Sequence, residues 1–155
     1  MAFIFQKVGR GTAEIYKILK NGTTSALYGG TPVCYDYTTD SNGKTVILPT
    51  AAAFQLFAGV VAHGKTLAAS GSDGQYGKVQ IYGHHAGIYV GGSSIIVGNP
   101  LTPVNAVSYM TLGVTHVTSG SLGNAEIQFA VAGAIGCSLA TSTFGATCVG
   151  FIRAM

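Results

Sequence analysis

The sequence predicts an all-β fold: an antiparallel sandwich or barrel of about 9–11 short strands, with little helix. Residues that favour strands and turns dominate the composition, with 23 glycines and 8 tyrosines among 155 residues. Short apolar runs alternate with glycine-marked turns, and the intervals between them leave no room for a crossover helix. A jelly-roll or β-tulip-like arrangement fits this pattern.

The central part of the chain, residues 58–105, consists of short apolar runs separated by glycines. Residues 78–82 alternate apolar and polar side chains, which is typical of a half-buried strand, and Gly83 is expected to end that strand. Residues 88–90 and 93–97 form the next two apolar runs. Tight turns between runs so close together predict an antiparallel three-stranded meander.

The N-terminal end is expected to form a strand or arm over residues 1–20, followed by a single β domain over residues 21–155. Residues 13–20 alternate in a way that suits either a strand or a short helix. We favour the strand because Asn21-Gly22, a typical hairpin turn, follows directly.

The remaining elements are predicted from apolar runs bounded by Gly, Pro, Asn or Ser. Residues 51–57 permit a short helix, because Ala, Gln and Leu are compatible with one. Further strands are predicted over residues 31–37, 45–48, 60–63, 105–117, 125–132, 135–139 and 147–153, with loops over residues 38–44, 71–74, 118–124 and 141–146.

The composition indicates that part of the surface is covered by another molecule. Charged residues make up 8% of the chain and hydrophobic residues 48%, and the mean hydropathy is +0.42. A soluble monomer usually has a more highly charged surface. Membrane insertion is one explanation, but the longest nearly apolar run, residues 51–62, is too short to span a bilayer. We therefore expect burial against partner subunits and no membrane partner.

The N-terminal segment is a candidate interface. Residues 7–20 contain four basic side chains and one acidic one, so their net charge equals the formal charge of +3 of the whole protein. This segment is either a solvated end or a basic arm lying on an acidic partner surface. Its apolar side chains need a surface to cover, in a partner or in the protein's own core. The candidate interface residues are Phe3, Ile4, Phe5, Lys7, Arg10, Lys17 and Lys20.

The adjacent histidines His84 and His85 are the clearest candidates for a metal or ligand site. Neighbouring residues of a strand point to opposite faces, so these two side chains are not expected to bind one ion together. We interpret them as exposed residues at a turn. Together with Tyr82 and Tyr89 they would form an alternative ligand surface.

The sequence contains no recognisable catalytic or cofactor motif. The five acidic residues are scattered, so spacing alone places no carboxylate pair for acid–base catalysis. GxSxG, Walker and GxGxxG motifs are absent. A surface that stacks on nucleic-acid bases also needs basic side chains, and only Lys65 and Lys78 lie near the central tyrosines. We therefore expect a non-enzymatic protein with no cofactor, no metal and no nucleic-acid partner.

The cysteines and the N-terminus indicate the compartment of synthesis. Cys34, Cys137 and Cys148 are odd in number and lack CxxC spacing, which favours buried reduced thiols over a zinc site or a disulfide. The apolar residues 3–5 precede Lys7 and Arg10, the reverse of the order in a secretory signal. Synthesis in the cytoplasm is expected.

The middle and the end of the chain resemble the small decoration, or cement, proteins of tailed-phage capsids. The similarity lies in residues 58–66, 76–83, 96–101, 134–140 and 149–153, which are strands and turns rather than catalytic signatures. Asn99 stands where the family would be expected to have an acidic residue.

This resemblance implies a β-rich structural protein without enzymatic activity. Proteins of this family typically form homotrimers on the outside of the virion, where they hold neighbouring major capsid proteins together. No catalytic or binding residue is implied by the resemblance. The alternative that we keep open is a receptor- or glycan-binding domain of a phage tail fibre.

Overall fold

The computed structural model describes residues 4–8, 13–50, 56–91, 100–112, 136–138 and 147–154. This part of the chain contains strands and turns but no α-helix, so the predicted all-β fold class is confirmed. The strands are β1 (Ile4–Val8), β2 (Ala13–Asn21), β3 (Leu27–Tyr28), β4 (Pro32–Tyr35), β5 (Thr45–Ile47), β6 (Phe57–Val61), β7 (Thr66–Leu67), β8 (Tyr76–Tyr89), β9 (Pro100–Pro103), β10 (Met110–Leu112), β11 (Gly136–Ser138) and β12 (Thr147–Arg153).

Five of these strands close into a small barrel. The pairing runs from β2 to β5, β4, β6 and β8, and β8 pairs back with β2. Every pair in the ring is antiparallel except β2–β5, which is parallel. Closing the ring gives each of its strands a partner on both sides.

An apolar cluster lies within the barrel strands and the antiparallel β3–β7 pair that packs with them. It consists of the buried residues Leu19, Leu27, Val33, Val46, Ala58, Val61, Leu67 and Val79. Burying one such Leu or Val side chain contributes about 1.5–3 kcal/mol relative to leaving it in water. Four of the eight are valines, β-branched residues that pack well against a pleated surface.

Strand β8 extends beyond the barrel and begins a second group of strands. Tyr82 pairs with Ile15 of β2 on one edge and with Arg153 of β12 on the other. From β12 the pairing continues to β11, β9 and β10. An isolated parallel bridge then joins Met110 of β10 to Val90, the residue directly after β8. β8 is therefore shared by both groups of strands.

A second apolar cluster combines side chains of the second group with three from the barrel strands β4 and β6. Its buried members are Cys34, Phe57, Val60, Ile81, Ile88, Val90, Leu101, Met110, Cys148, Ile152 and Ala154. Within β8, Val79 belongs to the barrel cluster while Ile81, two residues later, belongs to this second cluster. One strand thus contributes to two cores.

The three-stranded meander predicted over the central region is wrong. Residues 76–89 form one continuous strand, and the chain does not turn at Gly83, which pairs with Ile152. Gly83 has a φ of +103°, and a Cβ there would collide with the carbonyl oxygen of Ala13 in the neighbouring strand. The glycine lets two backbones approach closely, so it allows the strand to continue instead of ending it. The third predicted run, residues 93–97, lies outside the described residues.

The hairpin predicted at Asn21-Gly22 is also wrong. Strand β2 does end at Asn21, but this end of the strand pairs with β5 and β8 rather than with the segment that follows. The amide nitrogen of Asn21 donates to the carbonyl oxygens of Ser25 and Ala68 at 2.8 and 2.9 Å. Its oxygen accepts the main-chain N–H of Thr23 at 2.8 Å. Asn21 therefore fixes two loops to each other.

Strands β1, β2 and β6 agree with the predictions apart from their ends, whereas no prediction covered β3, β7 or β9. β4, β5 and β11 lie within the predicted ranges, and β12 has the predicted bounds. Within the described residues, the strand predicted over 105–117 is limited to β10. Phe57, predicted to end a short helix, instead begins β6, and residues 51–55 lie outside the described part. The strand predicted over 125–132 also lies outside it.

Across the described residues, no helix is long and apolar enough to cross a membrane.

Candidate binding surface

The predicted N-terminal arm pairs with the barrel. β1 runs antiparallel to the first half of β2, with Ile4 opposite Lys17 and Val8 opposite Ala13. β2 itself is one wall of the barrel, since it also pairs with β8 along residues 15–20. Of the candidate interface residues, Phe3 and Arg10 lie outside the described residues, and Ile4, Phe5 and Lys7 are described by their strand pairing alone.

Lys17 is held by the protein's own aromatic side chains. It lies on the same face of β2 as the fully buried Leu19. Its ammonium donates a hydrogen bond to the hydroxyl of Tyr35 at 2.9 Å and lies 5.3 Å from the centre of that ring. The Tyr35 ring in turn lies 5.6 Å from the ring of Tyr37. Lys17 is therefore part of a packed cluster and not of a solvated basic stripe.

Glu14, the single acidic residue among residues 7–20, also has a hydrogen-bond partner. Glu14 accepts a hydrogen bond from the hydroxyl of Tyr16 at 2.7 Å. Burial and this hydrogen bond to the carboxylate raise the pKa of Tyr16 to about 12. Lys20 is half-buried and stands opposite Tyr76 in the β2–β8 pair. The charges that the sequence shows as one basic block are thus divided between different local environments.

His85 is buried and does not belong to an exposed turn, which corrects the interpretation of the histidine pair. It is 1% exposed, whereas His84 on the opposite face of β8 is half-buried. The Nδ1 atom of His85 accepts the N–H of Gly87 at 3.1 Å, so the proton lies on Nε2, which donates to the carbonyl oxygen of Val61 at 3.0 Å. Burial lowers the pKa of His85. Both ring nitrogens therefore form hydrogen bonds with main-chain groups.

The four residues predicted as an alternative ligand surface do not form one exposed surface. Tyr82 is half-buried against the second core, and its ring lies 5.1 Å from that of Phe151 in an edge-to-face arrangement. Tyr89 is half-buried at the end of β8. His85 is inside the protein, so only parts of the other three side chains reach the surface.

Two acidic residues that were not singled out from the sequence shape the loop between β4 and β5. Asp36 accepts hydrogen bonds from the main chain and hydroxyls of Thr38 and Thr39. Asp40 accepts from the hydroxyl of Thr45 at 2.9 Å and from the N–H groups of Asn42 and Lys44, both at 3.0 Å. These hydrogen bonds lower the pKa of both carboxyl groups. The spacing of Asp, Thr and Asn in this loop is a turn signal that the sequence does contain.

The exposed aromatic side chains of the described residues are all tyrosines. Tyr28 is 60% exposed, Tyr37 is 47% exposed and Tyr76 is 59% exposed. Tyr76 stands opposite Lys20 in the β2–β8 pair. The main-chain N–H of Lys20 donates a hydrogen bond to the carbonyl oxygen of Lys44. Lys44 lies at the end of the loop that contains Tyr37. Tyr37 and Tyr76 therefore belong to the same end of the barrel. We call Tyr28, Tyr37 and Tyr76 the exposed tyrosines.

Tyr28 lines a shallow groove where the barrel meets the second group of strands. The groove has a volume of about 340 Å³, within the range typical of small-ligand sites. Its lining is neutral and consists of Ser25, Ala26, Leu27, Tyr28, Thr31, Leu48, Tyr89 and Ser108. Of the predicted alternative ligand residues, only Tyr89 contributes to it.

The two cysteines of the second apolar cluster are reduced and buried, as predicted. Cys34 and Cys148 are reduced cysteines with almost no exposed surface. Burial raises the pKa of the Cys34 thiol to about 12. Cys137 is described by its pairing in β11 alone. Among the described side chains, no three of the types His, Cys, Asp and Glu come together as a metal site would require.

A scan against protein-family models finds no match for this chain, and a search of the curated proteins finds none either.

Proposed function

We propose that this protein is a structural virion protein, a decoration or cement protein that binds the outer surface of a tailed-phage capsid. In this role it stabilises contacts between major capsid proteins, has no enzymatic activity and needs no cofactor. It is made in the cytoplasm of the host cell and acts on the capsid exterior. Its partners are the major capsid protein and other copies of the same chain.

The observation that best supports this proposal is the character of the surface. Only 8% of the residues are charged, and among the described residues the large exposed hydrophobic side chains are Tyr28, Tyr37 and Tyr76. Tyrosine is enriched at protein interfaces, because its ring buries a large area while its hydroxyl keeps a polar contact. The resemblance of the central strands to capsid cement proteins points in the same direction.

Binding to shells tests the proposal directly. Purified protein is mixed with capsids that lack it, and the shells are sedimented and analysed for a fixed ratio to the major capsid protein. We expect saturable binding, and replacing Tyr28 or Tyr76 with Ser should weaken it by at least about tenfold if the ring is an interface anchor. Asp73→Ser, at an exposed loop position, is the matched control and should bind normally. Absence of the protein from purified virions would overturn the proposal.

We further propose that the protein acts as a homotrimer. Light scattering should then give a particle of three times the chain mass of 15.8 kDa. A strict monomer at micromolar concentration would overturn the trimer while leaving open attachment of single copies to the shell.

The second candidate function is a receptor- or glycan-binding domain of a tail fibre, and the groove beside Tyr28 favours it. Tyrosine rings and the hydroxyls of Ser25 and Ser108 suit a neutral sugar, which stacks on aromatic rings and exchanges hydrogen bonds with hydroxyls. The two candidates differ in location, because a fibre protein labels the tail and a cement protein labels the whole shell. A glycan array without a binder, together with shell-wide labelling by an antibody, would eliminate the second candidate.

A further inference from the structure

The chain contains two Asn-Gly sequences, Asn21-Gly22 and Asn42-Gly43, and the structure places them in opposite environments. Asn-Gly is the sequence most prone to deamidation, because glycine has no side chain to obstruct attack by its own nitrogen. We propose that Asn42 is a site of spontaneous deamidation and isoaspartate formation in the folded protein, and that the fold protects Asn21 from the same reaction.

The reaction needs a free side-chain amide and a mobile main-chain nitrogen. The nitrogen of Gly43 would lose its proton to solvent base and form a bond to Cγ of Asn42. The bond from Cγ to the amide nitrogen then breaks, and ammonia leaves. Water opens the resulting cyclic imide at either carbonyl, which gives aspartate or isoaspartate. The sum is hydrolysis of one amide by one water, with no oxidant or reductant.

Asn42 meets these requirements. It lies in the exposed loop between β4 and β5, and none of the hydrogen bonds described for this loop involves its side-chain amide. The N–H of Gly43 is held by one local turn bond, to the carbonyl oxygen of Asp40 at 3.1 Å. A turn bond at an exposed loop tip opens with little free energy, so the nitrogen becomes available often.

Asn21 is held against the same reaction by its surroundings. The residue has no exposed surface. Its amide nitrogen, the leaving group, donates to Ser25, Leu67 and Ala68, and the attacking nitrogen of Gly22 donates to the carbonyl oxygen of Val46 at 2.8 Å. Gly22 also packs against the side chains of Thr45 and Ile47. The reaction at Asn21 would therefore need this part of the barrel to open.

Deamidation at Asn42 would change the loop in two ways. It lowers the formal net charge of +3 by one unit and places a new carboxylate beside Asp40. In the isoaspartate product, the main chain gains a methylene between the two N–H groups that Asp40 accepts, those of Asn42 and Lys44. Tyr37, which lies against Gly43, would then lose its fixed position.

Peptide mapping of the full chain after incubation at mildly alkaline pH tests the proposal. A tryptic digest leaves both asparagines in one peptide, residues 21–44, so chymotrypsin, which cuts at the tyrosines between them, is needed. In the folded protein we expect conversion at Asn42 at least about tenfold faster than at Asn21, since tenfold corresponds to about 1.4 kcal/mol of opening free energy. In urea the two rates should converge, because both sites are then open.

The variant Asn42→Gln provides the matched control, since glutamine forms the larger cyclic imide slowly. This variant should abolish most of the ammonia release and the labelling by an isoaspartate methyltransferase, without changing the melting temperature. Equal rates at the two asparagines in the folded protein, or labelling that persists in Asn42→Gln, would overturn the proposal.

Discussion

The Nε2 atom of His85 donates a hydrogen bond to the carbonyl oxygen of Val61 across 3.0 Å. Val61 is the last residue of β6, and His85 lies in the half of β8 that has left the barrel. The second ring nitrogen accepts the N–H of Gly87. One neutral imidazole therefore connects the end of β6 to the extension of β8, and it can do so only with a proton on Nε2 and none on Nδ1.

This arrangement predicts that the protein loses stability in mild acid. Burial is the main cause that lowers the pKa of His85 from its ordinary value of 6.5; the hydrogen bond to Val61 opposes it, His63 and His84 add repulsion, and Glu14 adds a smaller attraction. The unfolded chain therefore binds the proton more readily than the folded one as pH falls below 6.5. The free energy of unfolding should decrease from neutral pH towards pH 5, at a slope of up to about 1.4 kcal/mol per pH unit per histidine. Urea unfolding at several pH values measures this dependence of the free energy of unfolding on pH.

The variant His85→Gln separates this histidine from other titrating groups. Glutamine can still donate to Val61 but does not titrate, so the variant should be less stable at neutral pH and show a flatter dependence on pH between 7 and 5. A slope equal to that of the natural sequence would assign the acid sensitivity to other groups, and His85 would then have no part in it.

Replacing Asn21 with Ala should be among the most damaging single polar substitutions in the described part of the barrel. The change leaves the carbonyl oxygens of Leu67 and Ala68 without this donor and the N–H of Thr23 without its acceptor. Each buried polar group left unsatisfied costs about 1–3 kcal/mol, so we expect a loss of about 3 kcal/mol in the free energy of unfolding. Asn42→Ala, at the exposed Asn-Gly, should stay within about 0.5 kcal/mol. Denaturant unfolding of both variants measures the two losses in the free energy of unfolding.

The all-β class and several strand positions could be predicted because they depend on local pattern. β12 has the predicted bounds, and burial alternates along it as in a half-buried strand. The predicted hairpin at Asn21-Gly22 and the predicted strand end at Gly83 failed for one reason. In both cases, the local turn signal is outweighed by contacts with strands distant in sequence: Asn21 bonds to the loop near Ala68, and Gly83 lies against Ala13.

The candidate site could be predicted only in part, because burial depends on the closed pairing of β2 with β8. The opposite faces of His84 and His85 follow from strand geometry and could be predicted. The burial of His85 and the contact of Lys17 with Tyr35 could not, because each needs a partner that no sequence spacing identifies. The groove beside Tyr28 forms from loops of both strand groups and leaves no continuous pattern in the sequence.

Replacing Gly83 with Ala should destabilise the junction between the barrel and the second group of strands. An alanine there combines an unfavourable φ of +103° with a collision against the carbonyl oxygen of Ala13, so β2 and β8 would have to separate locally. Gly64→Ala is the matched control, because Gly64 has a φ of +67° but open space around it.

We expect Gly64→Ala to cost about 1 kcal/mol from backbone strain alone and Gly83→Ala to cost several times more. Thermal unfolding of both variants measures the difference. Equal losses would mean that the backbone at Gly83 yields easily and that the close approach to Ala13 adds nothing.

Deletion of residues 1–6 tests whether the N-terminal strand is an anchor to the capsid or part of the fold. The deletion removes the pairs Ile4–Lys17, Phe5–Tyr16 and Gln6–Ile15, but the other edge of β2 keeps its pairing with β8 over residues 15–20. The barrel should therefore stay closed, and we expect the melting temperature to fall little.

The same deletion should abolish decoration of the shell if the strand lies against the capsid. Burying Phe3, Ile4 and Phe5 in an interface would contribute about 4–9 kcal/mol, and ordering a short segment costs a comparable amount at about 1–2 kcal/mol per residue. One copy is therefore expected to bind weakly, and many such contacts across the shell together give strong attachment.

A matched variant, Lys7→Ser with Arg10→Ser, should bind more weakly only at low salt, because surface charges are screened over about 8 Å at physiological ionic strength. Normal decoration by the truncated protein would exclude the segment as an anchor, and a large fall in melting temperature would assign residues 1–6 to the protein's own core.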